Sequence, residues 1–245
     1  MNFQHPSTRH RRDALALPKL LFQGRAIASP QCRVFLIAWI LIESLSATLY
    51  AQPPSQTEST GFYQRLGVEH FMEGRFKESI AAFDKVIELE PRMEPRHWQR
   101  GITYYYAGEY QKGVDQFELH QTVNSQDVEN AVWHFICKTR LDGVEAARKA
   151  LIPIQHDGRV PMEEVWNLFA GKGTVEDVLE AANRSSPYKR QQLCYAHLYL
   201  GLYYEALEKT ELAKHHILLA ANEYSMDNYM GMVAQVHAEV LRKSP

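Results

Sequence analysis

Residues 63–91 have the sequence YQRLGVEHFMEGRFKESIAAFDKVIELEP, and the spacing within this stretch decides the fold. Four of its positions recur 34 residues later along the chain. The recurring pairs are Gly67 and Gly101, Gly74 and Gly108, Phe76 and Tyr110, and Phe83 and Phe117. Self-similarity at a fixed period of this length is typical of stacked helical hairpins, which bury their apolar faces only against one another.

Glycines within the repeat predict how each hairpin is built. Gly67 and Gly101 fall inside first helices, where glycine costs about 1 kcal/mol relative to alanine, so we expect a close helix–helix approach there. Gly74 and Gly108 mark the turn between the two helices, and Pro91 ends the first hairpin. The predicted packing residues between helices are the small pair Ser79 and Gly113 and the aromatic pairs Phe76/Tyr110 and Phe83/Phe117.

The first copy also has a distinctive order of residue types. It runs Tyr63-x2-Leu66-Gly67-x2-His70, then Ser79-x3-Phe83, then Pro91. This order resembles the tetratricopeptide repeat (TPR), whose pattern is W-x2-L-G-x2-Y, A-x3-F and P. The resemblance implies a TPR-type right-handed solenoid of helical hairpins. Because no segment alternates apolar and polar residues over the length of a strand, the residues themselves predict an all-α fold.

The rest of the chain is predicted to form further helical units. Pro95 is expected in the first turn of a helix, and Pro161 is expected to open a short helix that runs to Phe169. Thr174 and Asp177 have the spacing of a capping box for the next helix. The predicted units are repeats at 60–91 and 94–123, a degenerate repeat at 127–152, an irregular insert at 153–188, a repeat at 190–222 and a C-terminal capping helix at 227–243.

Residues 1–51 combine a basic segment with a short apolar run. The nine apolar residues 34–42 follow Arg33 and precede small residues up to Ala51, the order of a secretory signal peptide cleaved after Ala51. This predicts an exported, periplasmic or envelope-associated protein. Alternatives are a retained membrane anchor through 34–51, an organelle transit peptide and a misassigned start codon. Residues 52–60 are predicted to be a flexible linker.

Charge argues against two classes of partner. Beyond Ala51 the chain has 21 basic and 27 acidic residues, which makes the predicted helical domain mildly acidic. Nucleic-acid-binding domains and proteins that bind anionic membranes concentrate positive charge instead. We therefore predict neither nucleic acid nor an anionic membrane surface as a partner of this domain.

Three segments suggest a narrower resemblance. They are Val132-Trp133, Val165-Trp166-Asn167-Leu168-Phe169 and Leu198-Tyr199-Leu200-Gly201-Leu202-Tyr203-Tyr204, and together with the repeats they are similar to the NlpI family of bacterial envelope lipoproteins. The resemblance covers nearly all of 61–243. It implies a non-catalytic adaptor that docks peptidoglycan-processing enzymes and a protease. One departure concerns lipid anchoring, because Cys32 precedes the apolar run and no cysteine directly follows it.

Candidate chemical sites are few in this sequence. His215 and His216 are helix neighbours that point about 100° apart, so they are predicted to be surface histidines rather than a metal pair. The segment 171–174 (GKGT) lacks the earlier glycine of a phosphate loop and is predicted to be a turn. Cys137 and Cys194 fall on apolar helix patterns and are predicted to be buried free thiols. No catalytic residue, metal site or cofactor is predicted.

The first helices of the repeats supply the candidate binding groove. Residues one turn apart on the expected concave side form a strip of apolar and aromatic side chains that suits a peptide segment. The strip consists of Gln64, Val68 and Phe71 from the first repeat and Trp98, Ile102 and Tyr105 from the second. The alternative is that the insert or the capping helix packs on the strip and buries it. The Lys and Asn clamp of carboxylate-binding TPR co-chaperones is missing, which argues against that class.

Three hypotheses for function follow from the sequence. The first is a scaffold or adaptor that binds partner proteins or peptide segments in the groove, with envelope hydrolases or a protease as partners implied by the NlpI resemblance. The second is a self-associating assembly module, such as a homodimer formed through terminal hairpins. The third, which no constellation of residues supports, is an enzyme with its site in the insert at 154–188.

Overall fold

The computed structural model describes residues 59–243, and this part of the chain is helical throughout with no strand. The all-α prediction is therefore confirmed for these residues. The predicted signal peptide or anchor and nearly all of the linker lie outside them. The helices are α1 (Thr60–Met72), α2 (Phe76–Leu89), α3 (Trp98–Tyr106), α4 (Tyr110–Gln121), α5 (Val128–Asp142), α6 (Val144–Lys149), α7 (Met162–Phe169), α8 (Val175–Ala182), α9 (Lys189–Ala206), α10 (Thr210–Leu218) and α11 (Tyr229–Lys243).

Successive helices pair as hairpins, and glycine sets the closest approach within them. The two helices of α1–α2, α3–α4 and α9–α10 pack against each other. A Cβ added at Gly67 would lie 2.3 Å from the Phe83 ring, and one at Gly201 would lie 2.5 Å from Ile217. Ser79 is fully buried, and its hydroxyl donates to the Gly67 carbonyl at 2.7 Å. The expected close approach at the helix glycines is confirmed.

The turns inside the hairpins use the left-handed backbone conformation. Gly74 has φ +73° and Gly108 has φ +76°, so both occupy a region that side chains disfavour. In α9–α10 the corresponding residue is Glu208, with φ 58°. The turn geometry is thus kept in the last hairpin even though its glycine is not.

The connection between α2 and α3 differs from the sequence prediction. Residues Pro91–Arg96 form a 3₁₀ helix that contains Pro95, and α3 begins only at Trp98. Pro95 is therefore not in the first turn of the second repeat. Its carbonyl instead accepts a hydrogen bond from His120 at 2.8 Å, which holds the 3₁₀ segment against α4.

The insert forms two short helices, α7 and α8, that pack beside α5 and α9. Helix α7 begins directly after Pro161, as predicted, and α8 begins with the predicted capping box, in which Thr174 and Asp177 exchange hydrogen bonds. Trp166 donates to the Ile152 carbonyl at 3.0 Å, and Phe169 meets Phe135 edge to face at 5.1 Å. The insert is thereby part of the core.

The last helix does more than close the end of the hairpin array. Helix α11 packs against α10 and also contacts α1 and α9. At its first residue, the Tyr229 ring stacks on Phe71 at 5.6 Å and meets Trp98 edge to face at 5.0 Å. The C-terminal helix therefore lies over the side chains that the sequence assigned to a groove.

None of the helices within residues 59–243 is both long enough and apolar enough to cross a lipid bilayer.

Candidate functional site

The six residues of the predicted groove are not equally accessible. Phe71, Ile102 and Tyr105 are buried, with exposed fractions of 0%, 1% and 6%. Gln64, Val68 and Trp98 are partly buried. The strip is therefore not open across all six residues: Tyr229 on the C-terminal helix packs on Phe71 and Trp98.

Contacts from the C-terminal third of the chain explain this burial. Tyr229 covers Phe71, as described above, while the Tyr105 hydroxyl donates to Glu205 on α9 at 2.8 Å. Both Phe71 and Tyr105 therefore make their contacts inside the protein and are core residues. Two members of the strip, Trp98 and Ile102, line a cavity.

Trp98 lines a cavity of about 270 Å³ between the hairpins and the start of α11. Its walls combine aromatic side chains with charged and polar ones. The lining residues are Trp98, Ile102, Phe117, His120, Asp127, Glu129, Asn130, Trp133, Arg159, Tyr195, Asn228, Tyr229 and Met230.

Arg159, from the loop before α7, organises the charged wall of this cavity. Its guanidinium pairs with Asp127 and Asp157, each at 2.6 Å, and with Glu129. Asp127 caps α5 by accepting from the Glu129 amide at 3.1 Å, and Asp157 accepts from the Val128 amide at 3.1 Å. The N-terminus of α5 thus positions all three carboxylates, because its free amides attract negative charge.

Glu129 is the one of the three carboxylates that also contacts α9. The Tyr199 hydroxyl donates to its Oε2 at 2.6 Å. Desolvation raises the pKa of Glu129 to about 7, although the nearby Arg159 guanidinium acts in the opposite direction. At neutral pH this side chain is therefore close to the midpoint of its titration.

Two buried polar atoms at the cavity have no hydrogen-bond partner. They are the indole Nε1 of Trp133 and the amide Oδ1 of Asn130, whose residues are 1% and 3% exposed. The amide nitrogen of Asn130 is engaged, since it donates to the Phe117 carbonyl at 3.1 Å. Buried polar groups are nearly always satisfied, and these two atoms belong to residues of the cavity wall, but both are closed to solvent, so a bound group reaches them only after a side-chain shift.

A second depression, of about 300 Å³, adjoins the cavity. It shares Arg159 and Tyr195 with the cavity, and it adds Val160 and Tyr188, whose exposed fractions are 39% and 66%. Large apolar side chains exposed beside a polar cavity are typical of a surface that contacts another molecule. The cavity and this outer shelf together form the candidate site.

A second charged network lies outside the candidate site. Glu205 on α9 contacts Arg140 and accepts from the Tyr105 hydroxyl at 2.8 Å, and its Oε2 lies 2.9 Å from His237 Nε2. Burial opposes ionisation of Glu205, but the hydrogen bonds and charges of His237 and Arg140 prevail and lower its pKa to about 2. All of its partners are internal, so this network is structural.

The histidines and cysteines differ in how they match the sequence prediction. His215 is exposed, but His216 is buried, so the surface assignment is wrong for His216. Its Nδ1 lies 2.8 Å from Nδ1 of His197, and burial lowers the pKa of both rings to about 4.

Cys137 and Cys194 are free and buried, as predicted. No His, Cys, Asp and Glu grouping suited to a metal occurs among residues 59–243.

Sequence reasoning missed Arg159 and its carboxylate partners. Asp127 and Arg159 are 32 residues apart and belong to the degenerate repeat and the insert, where no period places them together. The available signal was the pair of carboxylates at the expected start of a helix, Asp127 and Glu129, together with Arg159 in the segment that opens the insert.

No protein-family model matches the chain. The resemblances to TPR proteins and to the NlpI family therefore remain predictions from sequence. The geometry and charge of the cavity and its outer shelf are the features of the structure that bear on function.

Proposed function

We propose that this protein is a non-catalytic scaffold of the TPR type, a right-handed solenoid of helical hairpins that binds a segment of a partner protein. The binding surface is the cavity at Trp98 together with the outer shelf at Val160 and Tyr188. The hairpin pairing, the glycine contacts and the left-handed turns of the described helices support the TPR assignment.

The observation that carries the proposal is the continuity of a polar cavity with an exposed apolar shelf. Arg159 and Tyr195 line both, so a bound segment can place one side chain in the cavity and lie across the shelf. Pockets for drug-sized ligands measure about 300–1,000 Å³, whereas this cavity of about 270 Å³ falls just below that range. Its size suits a single large side chain of a peptide.

The state of the charged groups favours binding over catalysis. Asp127 and Asp157 accept hydrogen bonds from backbone amides and from Arg159, and Glu129 accepts from Tyr199 and pairs with Arg159. Proton-transfer catalysis needs a base within reach of a substrate proton, and these carboxylates are already engaged.

The cellular setting of the proposal comes from the sequence alone. The apolar run at 34–42 and the NlpI resemblance suggest an exported protein of the cell envelope, whose partners are peptidoglycan-processing enzymes or a protease. Because residues 1–51 lie outside the described part of the chain, the cavity and shelf do not bear on this setting.

A peptide-display selection on the full-length chain tests the proposed function. We expect a random peptide library to yield binders whose affinity falls at least tenfold, about 1.4 kcal/mol, in Trp98→Ala and in Tyr188→Ser. Tyr188 is 66% exposed, so its replacement leaves the core intact. Leu212→Ala serves as control, because Leu212 is also exposed but lies on α10 away from the cavity.

Two results would contradict the proposal. If the selection yields no binders, the protein is not a peptide-binding scaffold. If binders are retained equally by Trp98→Ala, Tyr188→Ser and Leu212→Ala, with circular dichroism showing all three folded, the binding surface lies elsewhere.

A further inference from the structure

We propose that the cavity selects a cationic side chain, the ammonium of lysine or the guanidinium of arginine, from the bound segment. This inference rests on the proposed function and specifies the chemistry of its ligand. It is the opposite of a site that clamps a carboxylate.

The first argument is the charge balance around Arg159. Three carboxylates, those of Asp127, Glu129 and Asp157, share this one guanidinium. Asp127 and Asp157 already outweigh the single positive charge of Arg159, and Glu129 adds negative charge when it is ionised, so this group of side chains keeps an excess of negative charge beside the cavity. Charges beside such a cavity interact more strongly than in bulk water because the effective dielectric constant is lower. A cation is therefore attracted and an anion is repelled.

The second argument is that aromatic side chains also line the cavity. Trp98, Tyr195 and Tyr229 all border it. Aromatic faces attract ammonium and guanidinium groups, and tryptophan does so most strongly. Ile102 and Met230 add apolar surface for the aliphatic stem of a lysine or arginine side chain.

The third argument is the pair of unpartnered polar atoms. Oδ1 of Asn130 is an acceptor and can take a proton donor from an ammonium or guanidinium group. Nε1 of Trp133 is a donor and can be satisfied by a carbonyl of the same segment. The side chain of a cationic residue supplies the donor and the peptide backbone supplies the carbonyl, whereas the side chain of an acidic residue supplies only acceptors.

The size of the cavity agrees with this ligand. At about 30 Å³ for each water in the liquid, about 270 Å³ holds roughly nine waters. That space accommodates one long side chain and not a folded element. The rest of the segment would lie on the outer shelf.

The binding should also depend on pH. Glu129 faces Arg159 and Asp127. The other titratable groups at the site are Asp157 beside Arg159, Tyr195 and Tyr199 on α9, His120 on α4 and Tyr229 on α11. Because burial raises the pKa of Glu129 to about 7, its negative charge is lost as the pH falls through that value. A bound cation favours the ionised carboxylate, so affinity should rise between pH 6 and pH 8.

The test uses small probes and the full-length protein labelled at the tryptophan indole nitrogens. Nα-acetyl-lysine methylamide is titrated beside the norleucine analogue, which has the same stem without the charge, and beside the glutamate analogue. We expect saturable shifts of the Trp98 and Trp133 indole N–H signals with the lysine probe at millimolar concentration. The norleucine and glutamate probes should bind at least tenfold more weakly.

A charge-removing variant supplies the matched control. Glu129→Gln keeps an oxygen that accepts from Tyr199 but removes the negative charge, so the lysine probe should bind several-fold more weakly and lose its pH dependence. Glu211→Gln, at an exposed position of α10, should behave like the unaltered protein.

The outcomes separate this inference from the proposed function. Equal shifts with all three probes, or none with the lysine probe, overturn the cationic preference. If peptides selected on the protein still require Trp98 and Tyr188 but contain no essential lysine or arginine, the scaffold function stands without this specificity. If neither probes nor peptides bind, both proposals fail.

Discussion

Glu208 shows how a single residue can hold a turn at some cost. Among the described residues it is the one non-glycine residue with positive φ, at 58°. The same position in the first two hairpins is Gly74 and Gly108, for which the left-handed conformation is free of Cβ strain. In an L-residue that conformation costs about 1–2 kcal/mol.

We therefore expect Glu208→Gly to stabilise the protein by about 1 kcal/mol, because relief of the strained backbone exceeds the added entropy of the unfolded chain. Urea unfolding followed by circular dichroism measures the change. Gly108→Ala is the matched control and should destabilise by about 1 kcal/mol, since nothing lies within 4 Å of its missing Cβ and only the backbone conformation is affected. A loss of stability in Glu208→Gly would contradict this account.

His97 makes the stability of the fold depend on pH. It is 2% exposed, neither ring nitrogen has a hydrogen-bond partner, and its ring packs on Phe83 at 4.6 Å. Burial lowers the pKa of His97 from 6.5 to about 4, so the folded protein holds the ring neutral. Its contribution to stability is complete above the unfolded pKa of 6.5 and is lost as the pH falls from 6.5 through 4.

We expect this single group to reduce the free energy of unfolding by about 2 kcal/mol between pH 8 and pH 5. Burial also lowers the pKa of His197 and His216, so these two residues likewise reduce stability as the pH falls. Comparison with His97→Leu isolates the contribution of His97. The variant should lose less stability over this pH range than the unaltered protein does, as measured by urea unfolding at each pH. If the free energy of unfolding changes with pH by the same amount in both proteins, the buried His97 ring is not the cause of the loss.

Within the helical hairpins, the packing follows directly from residue spacing. The close approaches at Gly67, Gly101 and Gly201 could be predicted because a glycine inside a helix is costly unless a neighbour needs its space. The capping box at Thr174 could be predicted because it depends only on residues three apart. Local constraints of this kind are readable in one sequence.

A substitution in α1 tests this packing. Gly67→Ala would place a Cβ 2.3 Å from the Phe83 ring, so α1 and α2 must separate or the ring must move. We expect a loss of about 1–3 kcal/mol in the free energy of unfolding. In a Phe83→Leu background the same change should cost less, because the flexible leucine can yield.

The double-mutant cycle of Gly67→Ala and Phe83→Leu measures this coupling, which we expect to reach about 1 kcal/mol. Gly61→Ala is the control, since the nearest atom to its added Cβ is the mobile guanidinium of Arg65 at 3.6 Å. Additive effects of the two substitutions would show that the ring and the glycine do not constrain each other.

Contacts that join distant helices explain what the sequence left open. Phe71 and Tyr229 are 158 residues apart, and Tyr105 and Glu205 are 100 apart, so no local pattern brings them together. The sequence identified the strip on the first helices but could not decide between an open groove and a covered one. The same limit applies to Arg159, because two of its carboxylate partners, Asp127 and Glu129, come from another hairpin.

The Glu205 network fixes how these distant parts meet. It joins α9 to α11 through His237, to α5 through Arg140 and to α3 through Tyr105. His237 continues the connection, since its Nδ1 lies 2.9 Å from the Tyr106 hydroxyl. Removing one member of a buried charged network leaves its partners uncompensated, which costs about 3–5 kcal/mol.

We expect Glu205→Gln to lower the free energy of unfolding by about 3 kcal/mol at pH 7 and to loosen α11 before the hairpins. The pKa of Glu205 is lowered to about 2 in the fold, so its stabilisation is present above 4.5 and is lost as the pH falls from 4.5 through 2. The difference in the free energy of unfolding between the variant and the unaltered protein should therefore shrink below pH 4.5.

Hydrogen exchange tests which part of the fold loosens first. In Glu205→Gln, exchange should accelerate more in 229–243 than in 76–89, relative to the unaltered protein. The control variant Glu211→Gln should change exchange in neither segment. Equal acceleration in both segments would mean that α11 unfolds together with the hairpins, because the contacts of Tyr229 with Phe71 and Trp98 would then suffice to hold it in place.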